Sequence, residues 1–219
     1  MILINFKTYK ETFGDGAIKL AKIAKEVADE HKIRIVVTTS TIDAFRVKQE
    51  TGADVWLQSV DEFNEGKYTG WTSMKQSMQL GIRGSLLNHS ERQRPKGTVQ
   101  KIISGKPNGF EIMCCVKSLG QIEGWVDKLS PEWILYEPPE LIASKDKSVA
   151  TEKPEIIKNA VALVKNSKLI VGAGIKSKQD VEVCLKMGAK GVGLSSAFVL
   201  SKNPKEVLEE IAAGFNGII

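Results

Sequence analysis

The stretch DGAIKLAKIAKEVADEHKIRIVVT, Asp15 to Thr38, decides the fold. Its first part sets Ile18, Ala21, Ile23 and Val27 on an apolar side with Lys and Glu opposite, so an amphipathic helix is expected from Asp15 to His31. Its second part, Ile33 to Thr38, is a short β-branched run and reads as a strand. The same alternation extends to both ends of the chain. Further strands are expected at Ile2 to Phe6, Ala53 to Gln58, Ile82 to Leu87, Phe110 to Val116, Trp133 to Glu137, Leu169 to Gly172 and Gly191 to Ser195. Helical patterns lie between them at Thr41 to Glu50, Thr98 to Ile103, Leu119 to Leu129, Lys153 to Val164, Lys178 to Met187 and Pro204 to Ala213, with a weaker one near Thr72 to Leu80. Pro154 and Pro204 suit first-turn positions, and Gly52, Gly81 and Gly188 suit left-handed helix caps, each promptly followed by a strand. Strand–helix units of roughly 27 residues point to parallel pairing, because each crossover needs a dozen residues or so. An α/β fold follows, most simply a single closed (β/α)8 barrel with eight parallel strands and outer helices, with an open doubly wound sheet as the structural rival.

Composition narrows the class further. The chain has 219 residues, 42% of them apolar, with 19 Gly and 7 Pro. That apolar content is too high for a disordered chain, and the glycines lack the three-residue period of collagen. No linker, low-complexity stretch or compositional shift divides it, so residues 1–219 are expected to form one catalytic domain. No apolar stretch approaches the roughly 20 residues a bilayer requires. Met1 to Lys7 has no basic region ahead of its apolar run, so a cytoplasmic protein without signal peptide is expected. Cys114, Cys115 and Cys184 are odd in number and two are adjacent, which suits neither a disulfide framework nor a metal site; they read as reduced, buried thiols. The net charge of +5 is mild and scattered, which argues against nucleic acid and is compatible with a small anionic substrate.

In a barrel of this kind the chemistry sits where strands run into loops. Asn5 and Lys7 follow the first strand and, two apart in extended chain, point the same way. His89 follows the fourth; it is one of two histidines, the other, His31, falling at a helix C-terminus. Ser90-Glu91-Arg92 behind it reads as a short helix whose amides would keep the imidazole neutral. Glu137 closes the apolar run Trp133-Ile134-Leu135-Tyr136 and is stiffened by Pro138-Pro139, which suits a general base; Glu140 is the competing carboxylate, placed in the loop. Gly172-Ala173-Gly174 and Ser195-Ser196 are small-residue loops on adjacent strands that let backbone amides approach an anion. The long polar connection Pro138 to Lys153 suits a mobile lid.

Asn5-Phe6-Lys7, Leu86-Leu87-Asn88-His89-Ser90-Glu91-Arg92, Tyr136-Glu137-Pro138-Pro139-Glu140-Leu141-Ile142 and Val171-Gly172-Ala173-Gly174-Ile175 together resemble the triosephosphate isomerase family in its short archaeal form, along the whole chain. The resemblance implies a TIM barrel and reversible aldose–ketose isomerisation of glyceraldehyde 3-phosphate and dihydroxyacetone phosphate through an enediolate, a step of sugar breakdown and synthesis alike. It implies Glu137 as base, His89 as neutral electrophile and proton shuttle, and Lys7 as the neutralising cation, with Asn5 and Glu91 in support. Ile142, Gly174, Ser195 and Ser196 fall at its phosphate-binding positions, with Asn5 and Lys7 contributing to substrate binding, and no metal or organic cofactor is implied. Ala143-Ser144-Lys145 stand where the family carries a Gly-Thr-Gly lid tip, which removes positive-φ freedom there.

Tyr68-Thr69-Gly70 looks like the family's third loop, which implies a homodimer with Thr69 at the interface; a homotetramer is the alternative, though Lys96, Lys101 and Lys106 are awkward to bury. Two rival functions share the phosphate loops. One is another phosphosugar isomerase or epimerase barrel, and the other is a non-catalytic phosphate-ligand binding barrel.

Overall fold

Eight short strands hydrogen-bond in chain order and close on themselves in a computed structural model that describes residues 1–138, 150, 154–172 and 174–216. They are β1 (Ile2–Asn5), β2 (Ile35–Thr39), β3 (Asp54–Leu57), β4 (Gly84–Leu87), β5 (Glu111–Val116), β6 (Trp133–Tyr136), β7 (Lys168–Val171) and β8 (Val192–Leu194). Every pairing is parallel, and β8 completes the ring by pairing Val192 with Ile2 and Leu194 with Ile4. The closed eight-stranded barrel expected from the alternation of patterns is the one observed.

Outside the barrel run α1 (Asp15–His31), α2 (Thr41–Thr51), α3 (Met74–Gln79), α4 (Lys96–Ser104), α5 (Pro154–Leu163), α6 (Lys178–Lys186), α7 (Ser196–Val199) and α8 (Pro204–Ala213). Gly52, Gly81 and Gly188 take positive φ just past α2, α3 and α6, where a side chain would be strained. No helix among the described residues is long and apolar enough to cross a membrane.

The strands are buried on both faces, and alternate residues feed two cores. Ile2, Ile4, Val37, Val55 and Leu57 face the helices, while Leu3, Val36, Trp56, Leu86, Met113, Cys115, Leu135 and Ile170 fill the barrel interior. Trp56 is the largest fully buried side chain among the described residues, and it fits because β4 begins with Gly84, where a Cβ would lie 2.2 Å from the indole. All three cysteines are free and buried.

One expected helix is broken. Leu119 to Leu129 forms an α-turn (Leu119–Gln121), a π-turn (Ile122–Val126) and a 3-10 turn (Asp127–Leu129) in succession. Gly120 and Gly124 weaken α-helix formation there, and Asp127 is pulled inward, its carboxylate accepting from the backbone N–H groups of Lys165 and Asn166 at 3.0 and 3.1 Å.

The N-terminal end of the barrel is closed by a polar lattice. Arg34 Nε donates to Asp54 at 2.8 Å and its Nη2 to Glu111 at 2.7 Å, while the guanidinium lies 5.4 Å over the Trp56 ring. Glu111 also accepts from Trp133 Nε1 at 2.7 Å. Burial opposes the charge on Glu111, but the hydrogen bonds from Arg34 and Trp133 overcome it and hold the carboxyl below its ordinary range.

Candidate active site

The C-terminal end of the barrel gathers residues from five strand ends. After β1 the chain turns sharply, and Lys7 sits at φ +50°, a conformation that costs a non-glycine residue on the order of 1–3 kcal/mol. Two hydrogen bonds hold it there. Its N–H donates to Asn5 Oδ1 at 3.0 Å, and its carbonyl accepts from Gln58 Nε2 at 2.9 Å. Asn5 Oδ1 also accepts from the Thr38 hydroxyl at 3.2 Å, so this side chain shapes the turn as well as lining the cleft. Lys7 Nζ pairs with Glu91 Oε1 at 2.7 Å.

After β4 a second strained residue, Asn88 at φ +62°, precedes His89. Asn88 is pinned through Nδ2 to the Cys115 carbonyl at 3.1 Å and through Oδ1 by the Arg94 N–H at 3.0 Å. His89 caps the 3-10 turn Ser90–Arg92, its Nδ1 accepting from the Glu91 N–H at 3.3 Å. A ring nitrogen that accepts cannot carry a proton, so the neutral ring has its N–H at Nε2. Burial, with Lys7 nearby and against the pull of Glu91, lowers the imidazole below its usual value and keeps it neutral.

Glu137, just past β6, holds Oε2 3.4 Å from His89 Nε2. Burial raises its carboxyl, Lys7 draws it down and Glu91 pushes it up; it rests at about 7. Gly172, after β7, makes room for it. A Cβ on Gly172 would lie 2.9 Å from Glu137 Cγ and 3.0 Å from its Oε1.

Asn5, Lys7, His89, Glu137, Gly174, Ser195 and Ser196 line one cleft of about 160 Å³. Ser195 Oγ is buried there without a hydrogen-bond partner, and Ser196 and Ala197 begin α7, whose first amides have no partner within the helix. The arrangement joins a hydrogen-bond donor, a carboxylate able to exchange a proton near neutrality, a cation and open polar groups.

Of the residues singled out in the sequence, Asn5, Lys7, His89, Glu137, Gly174, Ser195 and Ser196 therefore meet at one place. Glu91 stands behind Lys7 and His89 and contacts both by side chain or backbone. Ile142, Glu140 and the lid tip Ala143-Ser144-Lys145 lie outside the described residues, as does Ala173. Gln58, which braces Lys7, was missed, although its place at the end of an expected strand marks it by the same rule as Asn5. The clearance at Gly172 was read only as an anion loop, and Lys176, which also lines the cleft, was not singled out.

The chain matches the triosephosphate isomerase family model over residues 1–213. It is 34% identical over 216 residues to the triosephosphate isomerase of Methanothermus fervidus, covering 96% of each chain. It is 35% identical over 214 residues to that of Saccharolobus solfataricus, covering 96% of this chain and 93% of the relative. The triosephosphate isomerase of Methanocaldococcus jannaschii is 34% identical over 216 residues, covering 96% and 98%.

Proposed function

The chain belongs to the triosephosphate isomerase family, and on that premise we propose that Glu137, His89 and Lys7 carry out the family's reaction, the interconversion of glyceraldehyde 3-phosphate and dihydroxyacetone phosphate. The observation that carries the assignment is the approach of a neutral imidazole N–H and a carboxylate of raised pKa to 3.4 Å in a cleft that also holds a lysine.

As carboxylate, Glu137 takes the proton from the carbon beside the substrate carbonyl. The electron pair left on that carbon forms the enediolate double bond, and negative charge moves to the carbonyl oxygen. His89 Nε2–H donates to that oxygen and passes protons between it and the neighbouring one, a role for which an imidazole held neutral is suited. Glu137, now a carboxylic acid, returns its proton to the adjacent carbon, and aldose has become ketose or the reverse. Lys7 offsets the enediolate charge, while Glu91 fixes the Lys7 ammonium and the His89 tautomer without touching the reacting carbon.

Gly174, Ser195 and Ser196, with Ile142, take the phosphate group, supported by the orphaned Ser195 Oγ and by the amides that open α7. The steps use protein side chains alone. Residues 1–219 work as one catalytic domain in the cytoplasm.

Self-association as a homodimer belongs to the same reading, through the loop that carries the exposed Thr69. Its support is apolar surface: Phe63 and Tyr68 stack at 4.2 Å beside Trp71 on that loop, all three more than a third exposed, and Ile42 on α2 is 92% exposed. Trp71→Arg is expected to shift the sedimentation mass to one chain.

The test is conversion of glyceraldehyde 3-phosphate by the purified protein beside Glu137→Gln. Turnover that collapses in the variant while phosphate-bearing inhibitors still bind is expected. Equal turnover in both would remove Glu137 as the base.

A further inference from the structure

Lys7 and Asn88, the two residues held at positive φ beside the cleft, are braced from neighbouring loops, and one side chain ties the braces together. That side chain is Arg94, in the irregular stretch between the 3-10 turn Ser90–Arg92 and α4. Glu91, Arg92, Gln93, Pro95 and Lys96 around it are exposed, whereas Arg94 leaves only 21% of its side chain in solvent and so anchors the stretch. Its backbone N–H donates to Asn88 Oδ1 at 3.0 Å, one of the bonds that hold the turn ahead of His89. Its Nη2 donates to Asp61 Oδ1 at 2.8 Å and to Ser59 Oγ at 3.3 Å, both in the loop after β3. Ser59 directly follows Gln58, whose amide holds the Lys7 carbonyl.

The far end of this brace is itself fixed. Asp61 Oδ2 accepts from the Thr72 N–H at 2.8 Å, and the Asp61 N–H donates to the Thr72 carbonyl at 3.0 Å, which closes the neck of the loop 62–71. The guanidinium is not arranged for stability alone, because Arg94 Nε is buried without a partner, a desolvation cost that a lysine would not carry. We infer that Arg94 is a positioning residue for His89: its ion pair with Asp61 fixes the backbone N–H that holds Asn88 in the left-handed region, and that turn sets the imidazole against Glu137. Without the side-chain anchor the exposed stretch drifts, Asn88 relaxes toward negative φ, and His89, next in the chain, turns with it. The consequence for turnover rests on the isomerase reading above.

The test reads kinetics and the histidine tautomer on the same variants. The chain holds two histidines, so a nitrogen NMR spectrum of histidine-labelled protein shows two rings, and His31 on α1 is the internal control. In Arg94→Met, kcat is expected to fall about tenfold with KM within about twofold. The His89 nitrogen signals, well separated while the proton stays on Nε2, should draw together as the ring samples both tautomers. Only Nη2 of Arg94 is engaged, so an ammonium can take its place; Arg94→Lys should return kcat to within about threefold of wild type and keep the His89 signals apart. A lowered melting temperature in Arg94→Met with kcat within about twofold and His89 signals unmoved would overturn the inference, since the ion pair would then serve the fold alone. Should Arg94→Met fail to fold, Asp61→Asn decides by the same two readings. A wild type that leaves glyceraldehyde 3-phosphate unconverted would overturn the isomerase reading, and the His89 signals of the variants would still uphold or overturn the positioning.

Discussion

At the N-terminal end of the barrel Arg34, Asp54, Glu111 and Trp133 satisfy one another, and Glu111 is held below its ordinary pKa. At the C-terminal end Lys7 pairs with Glu91 at 2.7 Å and His89 lies 3.4 Å from Glu137, yet Glu137 is pushed up to about 7, two residues are held at positive φ, and a buried hydroxyl has no partner. Both ends place acids and bases in the mouth of the same barrel. The difference is that one set has found all its partners and the other faces an open cleft. Groups of the first kind stabilise the fold; groups of the second kind keep their free energy available for a substrate.

The contrast is tested most severely by Glu137→Gln, which is expected to lower kcat about 10³-fold with little change in KM, the scale of a lost general base. Steady-state kinetics with a circular-dichroism melt decides it, because the melting temperature should not fall.

A pH series comes next. Glu137 has a folded pKa above its unfolded value, so the folded state holds this proton more tightly. The resulting stability is full below about 4.5 and is lost as pH rises through about 7, a change of about 3 kcal/mol. Wild-type melting temperature should decline over that window relative to Glu137→Gln, while kcat/KM climbs about tenfold per unit toward pH 7 as the base ionises. A flat stability difference would remove the raised pKa.

Gly172→Ala probes placement. The added methyl group meets Glu137 at 2.9 Å and should cost about 10-fold to 100-fold in kcat by shifting the base, with no new charge. Arg34→Met sharpens the other side of the comparison. It is expected to destabilise by about 2 kcal/mol, the group being half-buried, and to lower the melting temperature by about 4–8 °C. Its kcat should match wild type; a large kinetic loss would show that the two ends are coupled.

Much of this was legible in the residues because barrel strands and helices differ in period. Asp15 to His31 was readable to the residue, and Asn5, Lys7, His89 and Glu137 were found because polar side chains at strand ends stand out against apolar runs. Leu119 to Leu129 was misjudged because the apolar pattern is helical while Gly120, Gly124 and the inward Asp127 break the ladder. Gly172 acts through a contact 35 positions along the chain from Glu137, a distance no local pattern carries, whereas Gln58 stands at an expected strand end and was open to the same rule as Asn5. The tautomer of His89 likewise depended on where one backbone N–H points.

The buried cysteines have a practical side. Burial drives the Cys114 and Cys184 thiols up to about 12 and Cys115 well above its ordinary value, so at neutral pH none offers a thiolate to an alkylating reagent. The native chain thus offers a quiet background for site-directed labelling: one cysteine introduced at an exposed position away from the Thr69 loop, such as Lys19 or Lys202, is expected to carry a fluorophore or spin label without removal of any native residue.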